Sequence, residues 1–272
     1  MYAFIFVAMV DENKNGFVSS QKGHKIRVGA VSYLNTKPLI YGFEKGMMQG
    51  QVDLIIDYPA KIADALVKNE IDIGLVPVAV LPQMKNHYFV GDYGIACDGA
   101  VATVCLFSEV PVDEIETVLL DYQSRTSVAL LKILLDEHWK ITPEFINAEP
   151  GYEAGIKGNV AGLVIGDRAF EQKEKSKYCY DLGLAWKQMT GLPFVFAAWI
   201  SNKPLEPSFR DVFNAANEFG LSNIDKVVEE NEAGHTGLKE YYTDNIKFRI
   251  EGKMQEVIKL FLNKLKNSPV LT

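Results

Sequence analysis

Histidine and cysteine are scarce in this chain, with four and three in 272 residues. Cys97, Cys105 and Cys179 are odd in number and fit neither a C-x-x-C pair nor zinc-site spacing, which argues against a disulfide framework and reads as inert buried thiols in a reducing, cytoplasmic compartment. No hydrophobic run reaches membrane length: the apolar opening Met1–Val10 is about half of what a spanning helix needs. That opening lacks a basic region and gives way to Asp11-Glu12-Asn13-Lys14 rather than to a small-residue cleavage site, so it does not read as a signal peptide. Basic clusters are missing too. Lys and Arg number 28 against 35 Asp and Glu, for a net charge of -7, which argues against nucleic acid or an acidic membrane surface as partner. There is no G-x-G-x-x-G, no P-loop and no His/Cys cluster, so no nucleotide-type cofactor and no metal are expected. Low-complexity segments and long linkers are also lacking.

What the chain does have is enough length and apolar content for two lobes, with 48% of its residues hydrophobic and 23% charged. Ile26–Val31, Val52–Ile56 and Ile71–Val76 read as strands, separated by helical segments at Pro38–Phe43 and Pro59–Lys68. A second set comprises Ala100–Phe107, Thr117–Leu120, a helix from about Ser127 to His138, a strand near Glu144–Asn147, and Ala161–Ile165. This alternation predicts an α/β protein with largely parallel sheets. An internal echo pairs Leu54-Ile55-Ile56-Asp57-Tyr58 and Gly74-Leu75-Val76 with Val118-Leu119-Leu120-Asp121-Tyr122 and Gly162-Leu163-Val164, as expected of two similar lobes facing a cleft. After residue 200 the pattern turns helical at Ser208–Phe219, Ile224–Asn231 and Lys253–Leu265, and these helices are expected on the first lobe. Residues 1–24 read as an N-terminal extension.

The most informative stretch runs from Leu119 to Leu135, a buried strand turning directly into a helix whose first turn carries Ser124, Arg125, Thr126 and Ser127. Unpaired N–H groups at a helix start, three hydroxyls and a guanidinium fork together suit a carboxylate or phosphate. The plainer alternative is that Ser124 only caps the helix and Arg125 is solvated. Three other segments lie where strands end and the chain turns: Ser32-Tyr33-Leu34-Asn35-Thr36, Asp98 with Gly99 through Thr103, and Gly166-Asp167-Arg168. Singly these are ordinary turn, cap or ion-pair residues; jointly they outline a cleft with mostly neutral donors.

Taken together, Val31-Ser32-Tyr33-Leu34-Asn35-Thr36-Lys37-Pro38-Leu39, Asp72–Val78, Asp98-Gly99-Ala100-Val101, Ser124-Arg125-Thr126-Ser127, Ile165-Gly166-Asp167 and Thr190-Gly191-Leu192-Pro193-Phe194-Val195-Phe196-Ala197 resemble the chorismate dehydratases of the futalosine route to menaquinone. The resemblance covers nearly the whole chain after residue 25. It implies a two-lobed fold of the type II periplasmic-binding-protein kind, used inside the cell as an enzyme with neither cofactor nor metal. The lobes are then expected at 25–98 with 200–272 and at 99–199, with crossovers near Asp98 and Trp199 acting as a hinge. One position departs from the pattern: after Asp57-Tyr58-Pro59, where many relatives carry a Ser, this chain has Ala60.

The resemblance further implies that chorismate, a dianion, loses water across C3 and C4 to give 3-[(1-carboxyvinyl)oxy]benzoate. Ser32, Tyr33, Asp98, Gly99, Ser124, Arg125, Thr126, Ser127 and Gly166 are the expected substrate contacts, with Asn35 at the departing hydroxyl or the enolpyruvyl group. Asn35 as a mere turn-maker is the rival. Phe194, Phe196 and Trp199 are expected in the core. All four histidines fall outside the cleft segments, and Gly166 stands where a sister lyase, which cleaves cyclic dehypoxanthinyl futalosine, places a His. Asp98, Asp167 or the substrate's own enolpyruvyl carboxylate are the candidate bases, and the last is favoured. A non-catalytic solute-binding protein for a small carboxylate and the sister lyase are the competing readings.

Overall fold

The computed structural model describes residues 25–232, 237–250 and 252–267. The expected extension 1–24, with His24, and His235 lie outside the described residues. In chain order the strands are β1 (Ile26–Val31), β2 (Val52–Asp57), β3 (Ile73–Pro77), β4 (Tyr88–Cys97), β5 (Val104–Ser108), β6 (Thr117–Leu120), β7 (Glu144–Asn147), β8 (Val160–Ile165), β9 (Tyr178–Asp181), β10 (Phe194–Ser201) and β11 (Lys247–Arg249). They form two separate sheets, one ordered β11-β4-β10-β3-β1-β2 and the other β7-β6-β8-β5-β9. The helices are α1 (Lys37–Glu44), α2 (Pro59–Val67), α3 (Arg125–Leu134), α4 (Arg168–Lys175), α5 (Leu182–Thr190), α6 (Pro207–Leu221), α7 (Ile224–Asn231), the short α8 (Leu238–Glu240) and α9 (Lys253–Asn267).

Both sheets are mixed rather than largely parallel as expected. The parallel triplets β2-β1-β3 and β7-β6-β8 come from strand–helix–strand units. The strands that flank the passages between the sheets run the other way: β10 is antiparallel to β3 and β4, and β5 to β8 and β9. Because β10 pairs within the first sheet along its length, residues 194–199, expected in the second lobe, belong to the first sheet. The proposed division thus becomes 25–98 with 194–267 against 99–193, with the return passage at Gly191–Pro193. The internal echo is also displaced. It matches β2 with β6, whereas the strand in β6's place, flanked by two parallel neighbours, is β1.

The core is apolar and continuous through both lobes. Trp199 and Phe213 stack edge to face at 5.1 Å behind the first sheet, and the Trp199 Nε1–H donates to Asn217 Oδ1 at 2.9 Å. Helices α1 and α6 touch backbone to backbone. A Cβ on Gly220 would lie 1.8 Å from the Pro38 carbonyl oxygen, so only glycine permits this approach. α6 packs on the first lobe as expected, but α9 bridges both. Its Phe261 meets Phe194 at 5.1 Å and Trp186 of α5 at 6.4 Å, and Lys264 pairs with Glu137 of the second lobe at 2.5 Å. No helix of the described residues is long and apolar enough to cross a membrane.

Candidate functional site

The carboxyl ends of strands from both sheets converge on one narrow cavity with about 50 Å³ of accessible space between its walls. Its wall is largely apolar, from Val31, Leu75, Ile95, Val101, Ile165 and Phe196 among others. Its polar side chains are Tyr33, Asn35, Thr36, Ser124 and Ser127, and none of the lining residues is Asp, Glu, His, Lys or Arg. Phe196, expected in the core, is buried and yet faces this space, whereas Phe194 and Trp199 are core residues.

The turn into α3 is built locally. Asp121 Oδ1 accepts the Gln123 N–H at 2.7 Å, turning the chain so that Ser124 reaches an extended N-cap conformation. Ser124 Oγ accepts the Ser127 N–H at 3.2 Å and lies 2.9 Å from Ser127 Oγ. Capping and cavity lining therefore coincide in one residue, and the two serines, three apart, share the helix face turned to the cavity. The neighbours between them point elsewhere. Arg125 reaches across the cleft to Asp64 of α2 at 2.6 Å and to Gln83 at 3.5 Å. Thr126 Oγ1, fully buried, accepts the Ala79 N–H at 3.0 Å. Both tie the lobes together and neither lines the cavity.

The remaining expected contacts divide likewise. Tyr33, Asn35 and Gly166 line the cavity. Ser32 is exposed, and its N–H donates to the Asp57 carbonyl at 3.2 Å. Asp98 is exposed and paired with Lys187 at 2.6 Å, and Gly99 lies beside it with φ +122°, both outside the cavity. Asp167 accepts the Leu34 N–H at 3.0 and 3.3 Å, so it clamps the Asn35-bearing loop from the opposite lobe. Arg168, next in sequence, pairs with Asp121 at 2.5 Å and Glu153 at 2.6 Å. Ala60 is half-buried and absent from the lining, while the preceding Pro59 contributes to it. His87 and His138 lie away from the cavity, beside Phe89 and Trp139.

Behind the cavity runs a buried polar chain that sequence reading missed. The Tyr33 hydroxyl donates to Gln123 Oε1, which also accepts from Arg168 at 3.2 Å. Asp121, whose side chain is wholly buried, accepts from Arg168 and from the Tyr152 hydroxyl at 2.8 Å. Burial, reinforced by Asp121, pushes the Tyr33 hydroxyl well above its usual range, so it acts as a neutral donor. Asp181 was missed as well. It caps α5 and accepts the N–H groups of Val101 at 3.0 Å and Ala102 at 2.7 Å, holding Ala102 at φ +68° and Val101 against the cavity. Burial raises its carboxyl despite those N–H groups. An Asp preceding an apolar helical run was the signal available for that cap.

Comparison with known proteins places the chain. A family model described as menaquinone biosynthesis matches residues 26–267. A chorismate dehydratase of Thermus thermophilus is 28% identical over 231 residues, covering 76% of this chain and 84% of that protein. Among solved structures, a protein of Archaeoglobus fulgidus superposes with a TM-score of 0.72 at 14% identity, over 90% of this chain and 98% of that one. The periplasmic aliphatic sulphonate binding protein of Escherichia coli gives 0.61 at 14% identity, over 91% and 93%. The fold is therefore α/β, two-lobed and periplasmic-binding-protein-like.

Proposed function

The chain belongs to the menaquinone-biosynthesis family, and we propose that within it this protein is a chorismate dehydratase, a hydro-lyase of the cytoplasm. The observation that carries this reading is the cavity lining: two serine hydroxyls at a helix start and the Asn35 amide, set in an apolar wall that carries no charged side chain. Such a wall admits a dianion without repelling it and supplies neutral donors where its carboxylates end. In this proposal Ser124, Ser127 and the N–H groups opening α3 hold one carboxylate, and Asn35 faces the C4 hydroxyl. The C3 proton passes to the substrate's own enolpyruvyl carboxylate, the C3–H electron pair forms the C3–C4 double bond as the C4–O bond breaks, and the departing hydroxide takes that proton to leave as water while the ring becomes aromatic. Tight orientation is then the protein's main contribution. The placement of the alternative bases supports this: Asp98 is engaged by Lys187, and Asp167 by the Leu34 N–H.

The test is purified protein with chorismate, followed by the appearance of the aromatic product. Ser127→Ala is expected to weaken chorismate binding by about 1.5–3 kcal/mol, the worth of one hydrogen bond to a charged group. Unchanged turnover and affinity in that variant would remove the anion assignment. Asp167→Asn, which keeps an oxygen for the Leu34 N–H, is expected to lower kcat by less than the ~10²–10⁴ typical of a lost general base. A dead Asp167→Asn that still binds chorismate normally would make Asp167 the base. Tight chorismate binding with no product from the wild type would favour the solute-binding reading.

A further inference from the structure

The backbone around Asn35 is fixed on both sides. Asp167 takes the Leu34 N–H, the Leu34 carbonyl accepts the Tyr242 hydroxyl at 2.9 Å, and the Tyr33 carbonyl accepts the Thr36 N–H at 3.0 Å. The freedom that remains lies in the Asn35 side chain, whose donor and acceptor ends exchange by a flip of its last torsion. A substrate hydroxyl that must leave from one position needs that flip settled beforehand. Thr36 is placed to settle it. It stands at the N-cap of α1, where a threonine hydroxyl ordinarily accepts one of the helix's opening N–H groups, but here the side chain makes no capping bond. Its Oγ1 donates instead to Asn35 Oδ1 at 3.4 Å, and both residues line the cavity. Thr36 is fully buried, so its hydroxyl, withdrawn from the cap, keeps a hydrogen bond by turning to Asn35.

We propose that Thr36 is a positioning residue for the reaction: its hydroxyl occupies the oxygen end of the Asn35 amide, so that the N–H end is the one offered to the substrate's C4 oxygen. Negative charge grows on that oxygen as the C4–O bond breaks, and a donor held in place beforehand stabilises it. The flipped amide would set its own oxygen against the departing hydroxide and oppose the step. Donation into Oδ1 also polarises the amide, which makes its N–H groups stronger donors. This inference rests on the dehydratase reading for its kinetic consequence, though not for the contact itself.

The hydroxyl can be removed with little change of shape. Thr36→Val keeps the buried branched side chain, and because the hydroxyl caps nothing, the melting temperature should move little; a collapse would mark the hydroxyl as structural and overturn the proposal. Thr36→Val is expected to lower kcat for chorismate about tenfold, one hydrogen bond's worth of orientation, with KM changed less than about twofold. Thr36→Ser restores the hydroxyl and should recover most of that loss. A wild-type kcat in Thr36→Val, or a loss that serine does not restore, overturns the proposal. Asn35→Ala removes the group being oriented, so adding Thr36→Val to it should cost nothing further, and multiplicative losses in the double variant also overturn the proposal. A second arm is independent of turnover: in ¹⁵N-labelled protein the Asn35 side-chain amide resonances should move in Thr36→Val and stay near wild type in Thr36→Ser, and equal displacement in the two overturns the contact. A wild type that leaves chorismate unchanged rejects the dehydratase reading, and the resonance arm then decides the Thr36–Asn35 contact alone.

Discussion

Arg168→Ala is expected to lower the unfolding free energy by about 3–5 kcal/mol, the largest stability loss of any single change outside the apolar core. The reason lies in Asp121. Its side chain is wholly buried, and Arg168 is the cation beside it, with the Tyr152 hydroxyl and the Gln123 N–H completing its partners. Removing Arg168 leaves a buried carboxylate with neutral donors only. The lower end of the range applies because Arg168 is itself 28% exposed and water can partly replace it. Its guanidinium also lies over the rings of Tyr122 at 5.5 Å and Tyr152 at 5.8 Å, contacts a lysine would not reproduce. Glu153→Gln should cost far less, since glutamine keeps an acceptor oxygen for Arg168 and Asp121 keeps its partner. Denaturant unfolding of the three proteins checks the order, and the double variant Asp121→Asn with Arg168→Met should lose less than the sum of its parts. Equal losses for Glu153→Gln and Arg168→Ala would mean the buried carboxylate is not what the arginine serves. Activity should fall with stability, because Gln123, which receives the Tyr33 hydroxyl at the cavity wall, takes its second hydrogen bond from Arg168.

The helix start at Ser124 was legible in the sequence because capping is local chemistry: a serine, then a periodic apolar run. What sequence spacing left open was rotation. Ser124 and Ser127 are one near-turn apart and face the cavity together, while Arg125 and Thr126, about 100° and 200° further round, meet α2 and the Ala79 N–H instead. The four residues looked like one anion site; two of them line the cavity and the other two fasten the lobes together. Strand β10 was legible as a strand from Phe194 to Trp199, but its sheet was not, since its partners β3 and β4 lie about a hundred residues back. β4 escaped notice because Gly91 and Gly94 interrupt its alternation. Gln123, Tyr241 and Tyr242 carry no local signature at all. Gln123 and Tyr241 bond across the lobes, to Tyr33 and Thr103, and Tyr242 bonds the distant Leu34 within the first lobe, partners that no periodicity encodes.

Gly166→Ala is expected to lower kcat/KM for chorismate on the order of 10²-fold or more while leaving the fold intact, the cost of displacing a cavity wall by about an ångström. Two constraints meet at this residue. Its φ is +64°, the left-handed region that costs a residue with a side chain roughly 1–2 kcal/mol. An added Cβ would also come within 2.9 Å of Cε1 and Cζ of the Tyr33 ring, closer than such atoms approach. The ring has little freedom to yield, because its hydroxyl is held by Gln123 and the next residue's N–H by Asp167. The strain therefore passes to the loop bearing Asn35 and to the cavity itself. Gly166→His should be more damaging for chorismate, since an imidazole at that position lies where Tyr33 now closes the wall. Melting temperature measured beside kcat/KM separates the two costs: a modest shift in Tm with a large loss of turnover is the expected pattern. An alanine variant with wild-type kcat/KM would show that the Tyr33–Gly166 contact does not shape the site, and the part played by the cavity wall in orienting chorismate would fall with it.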